Sequence, residues 1–307
     1  MTDTQNEVFK TPVNKIRLFE HGAPGSQNLK LTRKYYTEDM PDGRVKHIVQ
    51  NITDPDIVPY IPDGIGNSTD RQRIPAVLII PGGAFRRLVY NFEGEDVAKW
   101  LNSMGIAAFV LECRLPSDEH DNAEDVPLID AMRAMRVIRG RAQEFGIDEA
   151  KIGVMGFSAG GFMAALLSTA YESDVYADYK YKDEYDKLSA RPDFAVCSYP
   201  VISIDDCIEA GKRYMSEEQV LERISDRKAK ILHKYNPDKL VRPDMPPVFI
   251  CETDDDRTTL SENSVGFYMA ARKAGVSAEL HIFRTGGHGY GCGDDFAQTG
   301  EWKVLFT

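Results

Sequence analysis

The chain has 307 residues, of which 42% are hydrophobic and 28% charged, a balance that suits a sizeable core in one large domain or two small ones. Its 37 Lys and Arg against 48 Asp and Glu leave a formal charge of −11, which argues against a nucleic-acid backbone or an anionic membrane as partner. No apolar run approaches the roughly 20 residues of a membrane span.

Residues 1–75 are the most polar part, read as an N-terminal extension with edge strands; "VKHIVQNITDPDIVPYIPD" (45–63) predicts an antiparallel edge hairpin. From residue 76 onward short apolar runs alternate with helical patterns. Strands are expected at "AVLII" (76–80), "IAAFVLE" (106–112), "KIGVMG" (151–156), "DFAVCSY" (193–199), "PVFICE" (247–252) and "AELHIF" (278–283). Most are continuously apolar, as befits strands covered on both faces. Helices are expected at 93–104, 127–145, 158–171 and 259–275. Alternating strand and helix implies α/β architecture, a mostly parallel doubly wound sheet with helices on both faces and an antiparallel N-terminal edge. No repeat or long linker interrupts it, so 1–307 reads as a single domain. Segments 171–191 and 203–240 depart from the pattern, and the region 171–240 is expected to shape a substrate site.

One corner of this pattern carries chemistry. "GVMGFSAGGFMAALL" (153–167) is a strand running into a helix, with Ser158 between Gly156 and Gly160 and Gly161 close behind. A serine there suits a helix N-cap, but capping leaves three glycines unexplained, each costing about 1 kcal/mol in a helix. Gly156-Phe157-Ser158-Ala159-Gly160 fits the G-x-S-x-G turn that presents a nucleophilic serine.

Such a serine needs a base, an acid to orient the base, and donors for an oxyanion. Upstream, "LIIPGGAF" (78–85) follows a strand with Pro81-Gly82-Gly83-Ala84, where main-chain N–H groups are free to face a ligand. Gly83, Ala84 and Ala159, the residue after the serine, are the oxyanion candidates. Downstream, "FICETDDDRT" (249–258) ends a strand in three aspartates, and "LHIFRTGGHGYG" (280–291) sets His288 among glycines after a strand. His281 falls on the alternate strand face and reads as structural. No His, Asp or Glu set has metal-ligand spacing, and no metal or other cofactor is implied. The order oxyanion loop, Ser, Asp, His is that of α/β-hydrolases.

With these motifs in place, the segments 77–116, 152–167, 190–203 and 246–291 resemble the α/β-hydrolase esterases of the acetyl-xylan and carbohydrate acetylesterase group. The likeness runs from about residue 14 to 302, includes "HGAPG" (21–25), and is weakest over 171–240. The resemblance implies a serine esterase with Ser158, Asp255 and His288 as triad, acting without a cofactor. Asp255 follows from the family spacing, two residues after Thr253. This sequence departs from the family with Ala84 where a third glycine is usual, with Glu252 where His or Gly is usual, and with a short last helix at 301–307. The implied substrate is a small-molecule or oligosaccharide ester carrying short acyl, chiefly acetyl, groups. A general short-chain carboxylesterase and a peptidase on the same fold are the alternatives, and homo-oligomerisation is left open.

Five scattered cysteines (113, 197, 207, 251 and 292) form no close pair, and the N-terminus lacks a basic-then-apolar leader. Together they point to a reducing, cytoplasmic setting.

Overall fold

The apolar runs of the sequence form the parallel centre of one sheet. A computed structural model describes residue 9 and residues 12–65, 73–226, 229–293 and 298–307. Its strands, in chain order, are β1 (Ile16–Arg17), β2 (Lys34–Asp39), β3 (Val45–Gln50), β4 (Asp56–Tyr60), β5 (Ile74–Ile80) and β6 (Leu88–Val89), then β7 (Ala107–Glu112), β8 (Ile147–Phe157), β9 (Ala195–Ser198), β10 (Val248–Thr253) and β11 (Ala278–Phe283). Eight of them form a sheet in the order β1-β4-β7-β5-β8-β9-β10-β11. From β7 to β11 every pairing is parallel; β4 joins β7, and β1 joins β4, antiparallel.

The chain leaves β5 toward β7 on one side, then returns over β5 to β8 and continues to β11 on the other. Right-handed crossovers in opposite directions put their helices on opposite faces. Thus Asp96–Ser103 covers one face, while Val126–Gly140, Ala159–Ala170 and Ser261–Lys273 cover the other. The last helix, Trp302–Phe306, joins Asp96–Ser103, with the Trp100 and Trp302 rings 5.0 Å apart edge to face. The divergence at β5 is a topological switch point, the crevice where doubly wound sheets bind ligands.

The expected hairpin at 45–63 does not form. Its two strands, β3 and β4, lie in different sheets: β3 pairs with β2 and β6, and β4 with β7. Asn51 turns left-handed (φ 57°) and Pro55 follows, so the chain swings away after β3. The tight hairpin is instead β2–β3, closed at Pro41-Asp42-Gly43, where the Met40 amide donates to the Arg44 carbonyl (2.8 Å) and Gly43 is left-handed at φ 83°. Asp-Gly between two strands is the usual signal for such a turn.

The two excursions also part company. Segment 171–191 packs on the Val126–Gly140 helix, where Arg133 meets Asp183 and Asp186, and Tyr179 donates to the Gly22 carbonyl (2.8 Å). It lies against the helix layer and the N-terminal segment, away from the cavity described below. Segment 203–240 supplies short helices, Ile204–Tyr214, Glu217–Ser225 and Lys230–Lys234, that stand over the C-terminal ends of the strands.

Candidate active site

Because β5, β8, β10 and β11 are parallel, the loops that follow them emerge at one edge of the sheet. Each sequence candidate sits on one of these loops.

Ser158 ends β8 and precedes the helix Ala159–Ala170, with φ 55° and ψ −119°, and its side chain makes no helix cap. So bent a corner needs its neighbours close. A Cβ on Gly156 would lie 2.0 Å from the Gly160 carbonyl oxygen, and one on Gly160 would lie 1.9 Å from that of Ile80. Only glycine fits either place, which accounts for the cluster that capping could not explain.

The hydroxyl so presented lies 2.8 Å from His288 Nε2. On the other side of the ring, His288 Nδ1 is 2.6 Å from Asp256 Oδ2. An ionised carboxylate only accepts, so the Nδ1 position holds the proton and Nε2 is left to accept from the serine. Asp256 is fully buried, and burial opposes its charge. The His288 contact and the amides of Thr258 (2.7 Å) and Thr259 (3.0 Å) outweigh that and hold its carboxyl below the usual range. The Thr259 hydroxyl adds a bond to Oδ2 at 2.9 Å.

The acid on His288 is therefore Asp256, one residue later than the expected Asp255. After β10 the chain makes a turn in which the Asp254 amide donates to the Phe283 carbonyl (2.8 Å) and the Asp256 amide to that of Thr253 (3.4 Å). Asp254 and Asp255 fall on the exposed apex, and only Asp256 points inward. Asp255 instead shapes the loop that carries His288, because its Oδ1 accepts from the amides of Gly286 (3.0 Å) and Gly287 (2.8 Å). No signal in the sequence separates Asp256 from its neighbours, since each of the three aspartates is followed two and three residues later by amides that a local turn could offer it.

The oxyanion candidates lie across from the histidine. Arg86 and Arg87 amides close onto the Gly83 carbonyl at 3.2 and 3.3 Å, and among the described residues nothing accepts from the amides of Gly83 and Ala84. Ala159 opens its helix, where a first-turn amide has no partner within the helix. Ala84 takes φ 57°, the left-handed conformation that costs a non-glycine residue roughly 1–2 kcal/mol. The alanine therefore holds this turn at some strain. Gly83 has no such latitude: at φ 138°, a Cβ would sit 2.1 Å from the Arg87 carbonyl oxygen. Gly83→Ala should break this loop and lower kcat on the order of 10²–10³-fold; steady-state kinetics beside a circular-dichroism melt would check it.

A cavity of about 70 Å³ opens beside Ser158 and is lined mainly by Phe85, Val201, Ile204, Cys207, Ile224 and Leu232. Its far wall comes from the 203–240 excursion, and no residue of 171–191 lines it. Of the region 171–240, only the second excursion lines this cavity.

Comparison with known proteins follows the same lines. The BD-FAE family model matches residues 65–270. The chain belongs to the BD-FAE family. An acetylxylan esterase from Xylanibacter ruminicola is 31% identical over 223 residues, which is 72% of this chain and 42% of that protein. The BD-FAE chain thus spans less than half the length of that curated relative. A solved acetyl ester-xyloside bifunctional hydrolase from Caldicellulosiruptor lactoaceticus is 36% identical, with TM-score 0.65, covering 83% of this chain and 87% of that one. A carboxylesterase from Lactobacillus plantarum, 20% identical, shares the fold at TM-score 0.65 over 90% and 95% of the two chains. The fold is the α/β-hydrolase fold, and the resemblance to esterases of the acetyl-xylan group is borne out. Among the described residues no helix is long and apolar enough to cross a membrane.

Proposed function

We propose that this BD-FAE chain is a serine esterase that removes short acyl groups, chiefly acetyl, from a hydroxylated substrate such as a xylo-oligosaccharide. The observation that carries this reading is the hydrogen-bonded series Ser158–His288–Asp256 beside free amides and a small apolar cavity. Ser158 Oγ attacks the ester carbonyl carbon while His288 Nε2 takes its proton, and Asp256 steadies the imidazolium. The carbonyl oxygen, now negative, is held by the amides of Gly83, Ala84 and Ala159. The C–O bond to the alcohol then breaks, His288 returns the proton to the leaving oxygen, and an acyl-serine remains. Water repeats the sequence, releasing the carboxylic acid and restoring Ser158.

The cavity bounds the acyl length. An apolar cavity of about 150 Å³ takes a benzene ring, so roughly half that volume suits an acetyl or similarly short chain. Support for a sugar alcohol comes from the acetylxylan esterase and the acetyl ester-xyloside hydrolase among its relatives. The five cysteines are buried and none is in a disulfide bond, which supports a reducing, cytoplasmic compartment, and 1–307 is proposed to act as one domain.

The test is a panel of p-nitrophenyl esters of increasing acyl length beside acetylated xylo-oligosaccharides. Highest kcat/KM for acetyl, and release of acetate from the oligosaccharides, are the expected results. A preference for acyl chains of about eight carbons would overturn the acyl assignment, since each methylene is worth only about 1–3 kcal/mol in such a pocket. Leu232→Ala, which deepens the cavity wall, should shift the ratio of hexanoyl to acetyl kcat/KM upward by on the order of tenfold. An unchanged ratio would mean that the acyl group lies elsewhere.

A further inference from the structure

A second buried acid stands behind the site, and the mechanism above makes no use of it. Glu93 lies in a π-helical turn, Asn91–Glu95, that leads into the helix Asp96–Ser103, with the Glu95 amide donating to the Tyr90 carbonyl (2.8 Å). Turns of this kind inside helices recur at functional sites. The Glu93 side chain is enclosed, and both its oxygens are engaged. Oε2 accepts from the Gly82 amide at 2.8 Å, and Oε1 accepts from the Tyr199 hydroxyl at 2.9 Å. The Tyr199 oxygen in turn accepts from the Gly291 amide at 3.0 Å. A backbone amide can only donate, so the outer bonds run from Gly291 to Tyr199 and from Gly82 to Glu93, and with Glu93 as carboxylate the Tyr199 hydroxyl donates to it.

The ends of that series matter. Gly82 immediately precedes Gly83 and Ala84, the amides assigned to the oxyanion. Gly291 is three residues beyond His288, in the same glycine-rich loop. Tyr199 also stands edge to face against the His288 ring, centroids 5.1 Å apart. It is fully buried and held at φ 37°, a strained value for tyrosine. Its carbonyl lies 3.3 Å from the Thr259 hydroxyl, whose proton goes to the shorter contact with Asp256 Oδ2. The π-turn itself abuts the histidine loop, because a Cβ on Gly291 would meet the Phe92 carbonyl oxygen at 2.6 Å.

We propose that Glu93 is a positioning residue for ester hydrolysis: its carboxylate ties the oxyanion loop, at Gly82, to the histidine loop, through Tyr199 and Gly291, and so fixes the distance between the oxyanion donors and His288 across Ser158. This rests on the serine-esterase reading above. A solvated glutamate could not serve, because water would compete for both oxygens; an apolar residue would leave the Gly82 amide and the Tyr199 hydroxyl unpaired. Burial pushes the Glu93 carboxyl upward in pKa, opposed by the nearby His288 and by the two hydrogen bonds. An acid kept in so costly a place, bonded to both halves of the site, is accounted for by that linkage.

Glu93→Gln and Tyr199→Phe test it. A glutamine can still accept from Gly82, but its NH₂ then faces the Tyr199 oxygen, whose own proton loses its acceptor. Tyr199→Phe removes one oxygen and no volume, so it retains the fold if the glutamine variant does not. Active sites are counted with diethyl p-nitrophenyl phosphate run to completion: Ser158 Oγ bonds to phosphorus, its proton passes to His288, and one p-nitrophenolate leaves per site. Turnover of p-nitrophenyl acetate is then expressed per titrated site. Each variant should lose on the order of tenfold in kcat per site with KM within about twofold, and the double variant should be no worse than the weaker single one, as for one shared linkage. A merely structural role would lower the number of titratable sites and leave kcat per site unchanged, and that result would overturn the proposal. So would losses that multiply in the double variant. A wild-type protein that neither turns over the acetate nor reacts with the phosphate would instead overturn the esterase reading itself.

Discussion

Replacing Ser158 with alanine is expected to lower ester turnover by about 10⁴- to 10⁶-fold, the range seen when a triad nucleophile is removed. The oxygen lost is the one that lies 2.8 Å from His288. The fold should survive, because alanine accepts the same backbone bonds: the Ser158 amide donates to the Ser198 carbonyl at 3.0 Å whatever the side chain. Ser158→Gly separates the two roles of this position further. A non-glycine residue at φ 55°, ψ −119° stores about 1–3 kcal/mol of backbone strain, and glycine releases it. The glycine variant should therefore be as inactive as the alanine variant and melt at a higher temperature. Purified Ser158→Ala that kept appreciable turnover would remove the serine from the mechanism. A lower melting temperature for Ser158→Gly would remove the strain from the account.

Much of this site was legible because its chemistry demands unusual sequence. Three glycines around one serine have no helical rationale, and a histidine among Gly286, Gly287, Gly289 and Gly291 cannot be a core residue. The parallel strands were legible because burial on both faces leaves few polar positions in them, as in β7, where all six residues are buried and only Glu112, paired with Lys15 and Arg33, is charged. What was not legible depended on partners or direction. The alternation in 45–63 shows two strands, but nothing in it says that β3 turns back to β2 while β4 crosses to β7. Glu93 sits on what reads as a polar helix start, and only the approach of Gly82 and Tyr199 from distant segments encloses it. The left-handed φ of Ala84 is likewise a property of the turn closed by Arg86 and Arg87, not of the alanine. Nor could the sequence separate segment 171–191, whose Tyr176 and Tyr185 pack on Arg136 and Arg133 of a helix, from segment 203–240, whose Ile204, Cys207, Ile224 and Leu232 line the cavity beside Ser158.

The three aspartates show most sharply where spacing fails and geometry decides. Asp256→Asn is expected to reduce kcat on the order of 10⁴-fold, the loss that follows when the orienting carboxylate becomes an amide. Either orientation of the asparagine is faulty. With NH₂ toward His288, the imidazole must accept at Nδ1 and carry its proton at Nε2, where it can no longer take one from Ser158. With the oxygen toward His288, the NH₂ meets the amides of Thr258 and Thr259, donors at 2.7 and 3.0 Å from the present Oδ1. Asp255→Asn meets neither difficulty. Its one engaged oxygen accepts from the Gly286 and Gly287 amides, and an asparagine carbonyl accepts them equally well, so activity should stay within about threefold of the original. Asp255→Ala, which withdraws that oxygen, should loosen the histidine loop and cost more than the asparagine variant, yet far less than Asp256→Asn. The measurement is kcat for p-nitrophenyl acetate in the three variants at one pH. A severe Asp255→Asn beside a mild Asp256→Asn would mean that the turn after β10 is one residue out of register with the histidine it serves.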